Sequence, residues 1–327
     1  MPPSSRTTRL APSPTGDLHL GNVRTLLLNW AIARRSGWEI RMRIDDLDGD
    51  RCSPAAEASI LANLAWLGID HDGPVHRQTA GTDGHRAALD ALAASGRIFS
   101  CDRSRRELRA AAEAAGAPHG AGTNLISTAG MRPEDPGRWG VRPGEHNHRL
   151  ALEEGLETVT DGFLGERSID LLPAFGDPIL WTRRDTAAYH LANVVDDLEA
   201  GVTDVVRGED LLPSAALHQR LARLLGGTPP RWWHLPLVLD ETGRRLAKRD
   251  GDLGLGALRD RGVPPERIIG LMARTCGLNP DGIPLEAAEF GTLVELDRIG
   301  SWARTESAGG GTRLERTDLE RLVEGTT

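Results

Sequence analysis

The first part of the chain switches repeatedly between short apolar runs and helical apolar spacing. Thr7 to Ala11 reads as a buried strand, and Pro12-Ser13-Pro14-Thr15-Gly16 forces a turn after it. From Leu20 the apolar positions Val23, Leu26, Leu27, Trp30, Ala31 and Ala33 recur at helical spacing, and Gly37 ends that helix. Glu39 to Ile44 alternates as a strand does. Ser53-Pro54 opens another helix, with Ser as the cap and Pro in the first turn. Strand, turn, helix, strand, helix is the start of a doubly wound α/β fold.

Periodicity weakens between about Gly116 and Glu145, where Gly, Pro, His and Asn dominate. An inserted subdomain is predicted from Arg97 to Trp181, with short strands near Arg149–Leu152 and Ile179–Trp181. Alternation resumes at Ala187, with strands at Thr203–Arg207 and His234–Leu239 and a helix at Leu211–Leu225. Pro264-Pro265-Glu266 opens a helix running to about Cys276, and Gly309-Gly310-Gly311 reads as a flexible linker.

Composition narrows the function classes. The 327 residues are 39% hydrophobic and 26% charged, enough for a soluble protein of about two domains. No apolar run reaches the ~18 residues of a membrane span, and the N-terminus lacks a secretory apolar stretch, so a cytoplasmic protein is expected. The net charge of −8 argues against nonspecific coating of nucleic acid but leaves room for a local basic face. Arg103-Ser104-Arg105-Arg106 is a candidate for one, or else a solvated helix face. Among 39 basic residues there is a single lysine, Lys248. Heavy arginine use suits a GC-rich coding bias, and a lone lysine is a hint of a place where a planar guanidinium fails.

Four constellations carry candidate chemistry. The first, Ala11-Pro12-Ser13-Pro14-Thr15-Gly16-Asp17-Leu18-His19-Leu20-Gly21-Asn22, joins a strand to a helix, where an α/β sheet presents amides to phosphate. Gly16 and Gly21 allow close backbone approach, and His19 is placed to donate to phosphate oxygens; alone it reads as a solvated loop residue. The second, Arg43-Ile44-Asp45-Asp46-Leu47-Asp48, sets carboxylates at the end of a strand, either facing a ligand crevice or capping a helix. In the third, Tyr189 and Asn193 share one helical face, and Arg207 ends a strand where it can grip a carboxylate with two parallel bonds. Tyr189 also fits a core aromatic, and Arg207 an ion-pair partner of Asp196. The fourth, Gly243-Arg244-Arg245-Leu246-Ala247-Lys248-Arg249-Asp250-Gly251, is a basic loop able to close over a triphosphate, or a solvated turn.

Together these segments resemble the class I aminoacyl-tRNA synthetases. His19-Leu20-Gly21-Asn22 resembles the first class signature ("HIGH"), and Arg9 in front of it resembles the glutamyl-tRNA synthetase branch. Arg245 to Lys248 is similar to the second signature ("KMSKS"), with Arg245 for its first lysine, Ala247 for a serine and Lys248 on its second lysine. The resemblance covers residues 6 to 276. Asp45 stands where the family carries glutamate, a side chain longer by one methylene.

The resemblance implies an α/β fold: a Rossmann-type parallel sheet (1–96 and 182–240), an inserted acceptor-binding subdomain (97–181) and a small C-terminal helical domain (241–327). It implies ATP-dependent formation of glutamyl-adenylate and transfer to tRNA, with Mg2+ accompanying ATP. Glutamate binding falls to Arg9, Ala11, Ser13, Asp45, Tyr189, Asn193 and Arg207. ATP binding falls to Pro12, Thr15, Gly16, His19, Gly21, Asn22, Arg245 and Lys248, of which His19 and Lys248 are catalytic. Related enzymes often hold zinc in the insertion through a Cys-x-Cys pair and a later cysteine. Here Ser100-Cys101-Asp102 and Ile126-Ser127-Thr128 do not match, and Cys101, His119, His146 and His148 are the remaining donors, so no metal site is expected.

Full-length glutamyl-tRNA synthetases continue into a large helical anticodon-binding domain. The stretch after Lys248 is too short for one, so length and Arg207-Gly208-Glu209-Asp210-Leu211-Leu212 resemble the short branch that attaches glutamate to the queuosine base of tRNA(Asp), while Asn193 resembles the full-length branch. The alternatives are a short glutamate-tRNA ligase charging the 3′ end, a ligase for a non-tRNA acceptor, and a noncatalytic tRNA-binding paralogue. A monomer binding neither membrane nor DNA is expected.

Overall fold

The computed structural model describes residues 6–101, 132, 144–244, 246 and 254–324. Strand β1 (Thr7–Leu10) is followed by helix α1 (Leu20–Ser36), strand β2 (Glu39–Ile44), helix α2 (Pro54–Trp66), strand β3 (Val75–Arg77) and helix α3 (Thr82–Ala94). These bounds match the apolar periods closely. Helix α1 ends at Gly37, whose left-handed backbone (φ 69°) lets its N–H cap Ala33 and Arg34 carbonyls. Ser53 caps α2 by accepting from the Ala56 amide, with Pro54 in the first turn.

The three strands run parallel in the order β1-β2-β3. Three further strands, β6 (Leu156–Asp161), β9 (Asp204–Gly208) and β10 (Arg231–Leu235), are parallel in the order β6-β10-β9, with β7 (Gly165–Asp170) antiparallel on the outer edge. The two sheets join where the Thr203 amide donates to Thr7 O (2.9 Å) and Arg6 pairs with Asp204. The spatial order is therefore β3-β2-β1-β9-β10-β6-β7. The chain winds outward in both directions from the junction of β1 and β9, which makes their C-terminal ends the topological switch point.

Residues 156–170 lie within the stretch 97–181 in sequence, yet the β6–β7 hairpin extends the main sheet through the pairing of Asp161 with Trp232. Strands β4 (Ile98–Cys101), β5 (Asn147–Leu150) and β8 (Ile179–Trp181) form a separate antiparallel sheet in the order β4-β5-β8. The expected strand at His234–Leu239 is two pieces, β10 and β11 (Val238–Leu239), because Pro236 has no N–H for a ladder.

Helices α4 (Leu171–Phe175), α5 (Tyr189–Glu199) and α6 (Leu212–Leu224) cover one side of the sheet, and their apolar residues share a core with Val205 and Trp232. On the other side lie α7 (Leu255–Asp260), α8 (Pro265–Thr275), α9 (Ala287–Leu293), α10 (Leu296–Ala308) and α11 (Arg316–Glu324). Ile268, Met272, Phe290 and Ile299 from these helices join Leu20, Leu27 and Ile32 of α1 in a second core. Each such buried side chain contributes roughly 1.5–3 kcal/mol, so this C-terminal region is packed onto α1 rather than tethered to it.

The Gly309–Gly311 stretch is not the flexible linker its composition suggests. It turns the chain so that β12 (Thr312–Arg313) pairs in parallel with β11. Gly311 has φ 120°, and a Cβ there would sit 2.9 Å from Leu237 O, so the glycine serves close backbone approach. Among the described residues no helix is long and apolar enough to cross a membrane.

Candidate active site

The C-terminal ends of β1 and β9 part around a cleft of about 490 Å³. One wall is the turn after β1 and the start of α1: Arg9, Ala11, Pro12, Ser13, Thr15, Gly16, His19, Gly21 and Asn22. The other holds Tyr189 and Asn193 of α5, Arg207 of β9 and Asp45 after β2. The structure thus brings together every site residue expected from the sequence except Arg245 and Lys248, which lie outside the described residues, as do Ala247, His119 and Arg103–Arg106. The described residues on either side of Lys248 do reach this region. Leu246 lines the cleft and donates its amide to Val238 O (3.0 Å), and Gly254 bridges to His19.

His19 is the N-cap of α1, and its Nδ1 accepts from the Asn22 amide (3.3 Å). Histidine is not among the residues that cap helices well, so its presence here points to a task besides capping. With Nδ1 accepting, the neutral ring carries its proton on Nε2. Gly21 stands against that ring: a Cβ would lie 3.1 Å from both Cε1 and Nδ1 of His19. The positive end of the α1 dipole adds to the anion preference of this wall.

Asp17, in the turn before α1, has a structural part that no local pattern signals. Its carboxylate accepts from the Gly256 amide (2.6 Å) and from Asn63 Nδ2 (3.1 Å), tying the turn after β1 to α7 and α2. A Cβ at Gly254 would lie 2.6 Å from Asp17 Oδ2, so glycine is required for that contact.

The larger omission is Arg43. Its side chain is 4% exposed and donates to Asp45 Oδ1, Asp197 Oδ1 and Asn193 Oδ1, each at 2.6 Å. Burial opposes its charge, but Asp45, Asp197 and Asp196 together hold its pKa above the usual guanidinium value. Asp197 also accepts from Arg9 Nε at 3.3 Å. Asn193 is engaged at both ends: its Oδ1 accepts from Arg43 and its Nδ2 donates to Tyr189 O (3.1 Å), which leaves one N–H of its amide for a ligand. Asp196 turns the other way, to His85 Nε2 and Gln78 Nε2, both at 2.7 Å, and not to Arg207.

Arg207 is 5% exposed and makes no ion pair with another described residue. Its Nε donates to His234 Nε2 (3.2 Å) and one terminal nitrogen donates to Leu211 O (2.9 Å), with the Trp232 ring 4.9 Å from its carbon. Burial lowers its pKa to about 10, which leaves it charged at neutral pH. His190 and His218 contact each other (3.0 Å), and the Tyr189 ring lies within 5.6 Å of both. Burial pushes His190 down to about 4 and His218 well below its usual value, so neither adds positive charge here. The cleft therefore presents a buried guanidinium, Arg207, without an ion-pair partner among the described residues, together with Arg9 and the carboxylate of Asp45.

A parallel α/β sheet opening at its switch point, with this turn at the helix start, is the catalytic domain of a class I synthetase. The family described as tRNA synthetases class I (E and Q), catalytic domain, matches residues 6–305, and the chain belongs to it. It is a ligase of aminoacyl-tRNA synthetase type, and membership implies use of ATP.

Among relatives, the chain is 40% identical over 293 residues to the glutamyl-Q tRNA(Asp) synthetase of Nitratidesulfovibrio vulgaris, spanning 84% of this chain and 88% of that one. It is 40% identical over 281 residues to the enzyme of the same name from Rhodobacter capsulatus, spanning 81% and 99%. Glutamate–tRNA ligase 1 of Xanthobacter autotrophicus is 34% identical over 328 residues, spanning 96% of this chain and 67% of that one. The crystal structure of glutamate-tRNA synthetase from Elizabethkingia anophelis aligns with a TM-score of 0.77 at 26% identity, over 98% of this chain and 70% of that one.

Proposed function

We propose that this enzyme activates glutamate with MgATP and transfers the glutamyl group to the queuosine base of tRNA(Asp). The observation that carries the amino-acid choice is Arg207. Among the described residues its buried guanidinium has no carboxylate partner, a costly arrangement unless an anion is supplied, and a ligand can supply it. A side-chain carboxylate held there, with Arg9 opposite and Asp45 near the amino group, defines an acidic amino acid. The acceptor is supported by the relatives that carry the glutamyl-Q name and align over nearly their whole length.

In the first step an α-carboxylate oxygen of glutamate attacks the α-phosphorus of ATP. The bond to the bridging oxygen breaks, and pyrophosphate leaves with its electrons. His19 and the start of α1 stabilise the charge growing on the phosphates, and Lys248 does so from the signature loop. Magnesium arrives with the nucleotide as part of the substrate. In the second step an acceptor hydroxyl attacks the mixed anhydride and AMP departs.

ATP–pyrophosphate exchange tests the amino-acid assignment. Glutamate should support exchange without tRNA, and glutamine should be worse by on the order of 10- to 100-fold, the value of a hydrogen bond to a charged group. Equal exchange with both, or exchange without amino acid, would contradict the reading.

A further inference from the structure

Arg207 and His234 are opposite one another on the neighbouring strands β9 and β10. The imidazole lies between two groups of fixed hydrogen-bonding character. On one side a carboxylate oxygen of Asp161 is 2.6 Å from Nδ1, and on the other Arg207 Nε is 3.2 Å from Nε2. His234 and Asp161 are fully buried. Asp161 is itself held by the turn of the β6–β7 hairpin, since its Oδ1 accepts from the Phe163 (3.0 Å) and Leu164 (2.9 Å) amides.

A carboxylate only accepts and a guanidinium only donates. The ring must therefore carry its proton on Nδ1 and leave Nε2 bare. We propose that Asp161 and His234 are positioning residues for the substrate arginine: Asp161 selects the His234 tautomer whose bare Nε2 orients Arg207 toward the cleft. With Nε committed to His234 and one terminal nitrogen to Leu211 O, the planar guanidinium can turn only one face and edge to a ligand. Burial keeps His234 below its ordinary pKa, so the ring stays neutral under working conditions. The effect on kinetics rests on the reading of Arg207 as the side-chain carboxylate's partner; the tautomer does not.

Asp161→Asn changes the tautomer with little change in shape. Oδ1 can still accept from the hairpin turn and from the His234 backbone amide (3.3 Å), while the amide nitrogen in the Oδ2 position gives up the 3.1 Å bond from that backbone amide and donates to the His234 ring. The ring must then accept on Nδ1 and place its proton on Nε2, against the Arg207 N–H. Glutamate KM in pyrophosphate exchange should rise on the order of 10- to 100-fold, with ATP KM within about twofold of the parent. His234→Leu should act similarly, and His234→Gln, whose side-chain oxygen can accept from Arg207, should recover most of the loss.

Long-range 1H–15N spectra of the unligated protein should show an Nδ1–H ring at His234 and an Nε2–H ring in the Asp161→Asn variant. An Nε2–H ring in the parent protein overturns the proposal. So does an inverted tautomer with unchanged glutamate KM, or a parallel rise in glutamate and ATP KM. Absence of glutamate-dependent exchange in the parent enzyme would instead overturn the functional reading, and the spectra would still decide the tautomer.

Discussion

Arg43 joins β2 to α5 beneath the cleft, and its removal should damage stability and glutamate binding together. Arg43→Met keeps much of the stem and deletes the fork. Asp45 then loses its 2.6 Å partner, Asn193 Oδ1 loses its donor, and Asp197 is left with Arg9 Nε at 3.3 Å. Breaking a buried pair by removing one partner costs roughly 3–5 kcal/mol. Unfolding entropy of about 2.1 cal/mol/K per residue gives roughly 0.7 kcal/mol/K for a chain of this size, so Tm should fall by about 4–7 °C. Arg43→Lys should fall between, because one ammonium cannot meet three acceptors placed around a planar fork. Both variants should raise glutamate KM in pyrophosphate exchange more than ATP KM, because Asp45 and Asn193 line the cleft and are proposed to bind the amino acid. Calorimetry and exchange kinetics measure the two effects. A Tm within about 1 °C of the parent for Arg43→Met, with unchanged glutamate KM, would show that Arg43 does not hold Asp45, Asn193 and Asp197 together, because a loss of 3 kcal/mol would have to appear.

Gly21→Ala should leave Tm unchanged or slightly higher, as alanine favours the helix, while lowering kcat for exchange, because the new Cβ presses on the His19 ring at 3.1 Å; an unaffected kcat would show that the ring has room to move. Lys248→Ala should lower kcat on the order of 100-fold with little change in glutamate KM, and Lys248→Arg should fold normally yet stay impaired; a fully active arginine variant would make the lone lysine an accident of codon use. His148, His190, His218 and His234 all have pKa values lowered by burial, so the unfolded chain takes up their protons first. Stability should be level above about pH 6.5 and fall as pH drops below it, by up to about 1.4 kcal/mol per pH unit for each ring; a flat profile from pH 6.5 to 4.5 in denaturant titrations would contradict the burial of neutral imidazoles.

The parts of this protein that repeat locally could be read from its residues. Apolar spacing from Leu20 to Ala33 and the Ser53-Pro54 cap placed α1 and α2, and the strand-turn-helix around His19 placed one wall of the cleft. Tyr189 and Asn193, one helical turn apart, reached the other wall as expected. What escaped depends on partners distant in sequence. Asp161 and His234 are 73 residues apart and have no local signal. The β6–β7 hairpin looks like part of the insertion until Trp232 pairs with Asp161. Arg43 was the recoverable omission: a charged residue in a strand otherwise read as buried, next to Asp45, asks for partners. Gly309–Gly311 misled because three glycines signal freedom, while here the missing side chains permit β12 to approach Leu237.

Delivery of activated glutamate to a tRNA base leaves a different product from charging of the 3′ end. Incubating the enzyme with labelled glutamate, ATP and queuosine-containing tRNA, then mapping the label by nuclease fragments, separates the two. Label should be confined to the anticodon-loop fragment of tRNA(Asp), depend on ATP and be absent from tRNA lacking queuosine. Label at the 3′ terminal adenosine, or labelling indifferent to queuosine, would contradict delivery to the base.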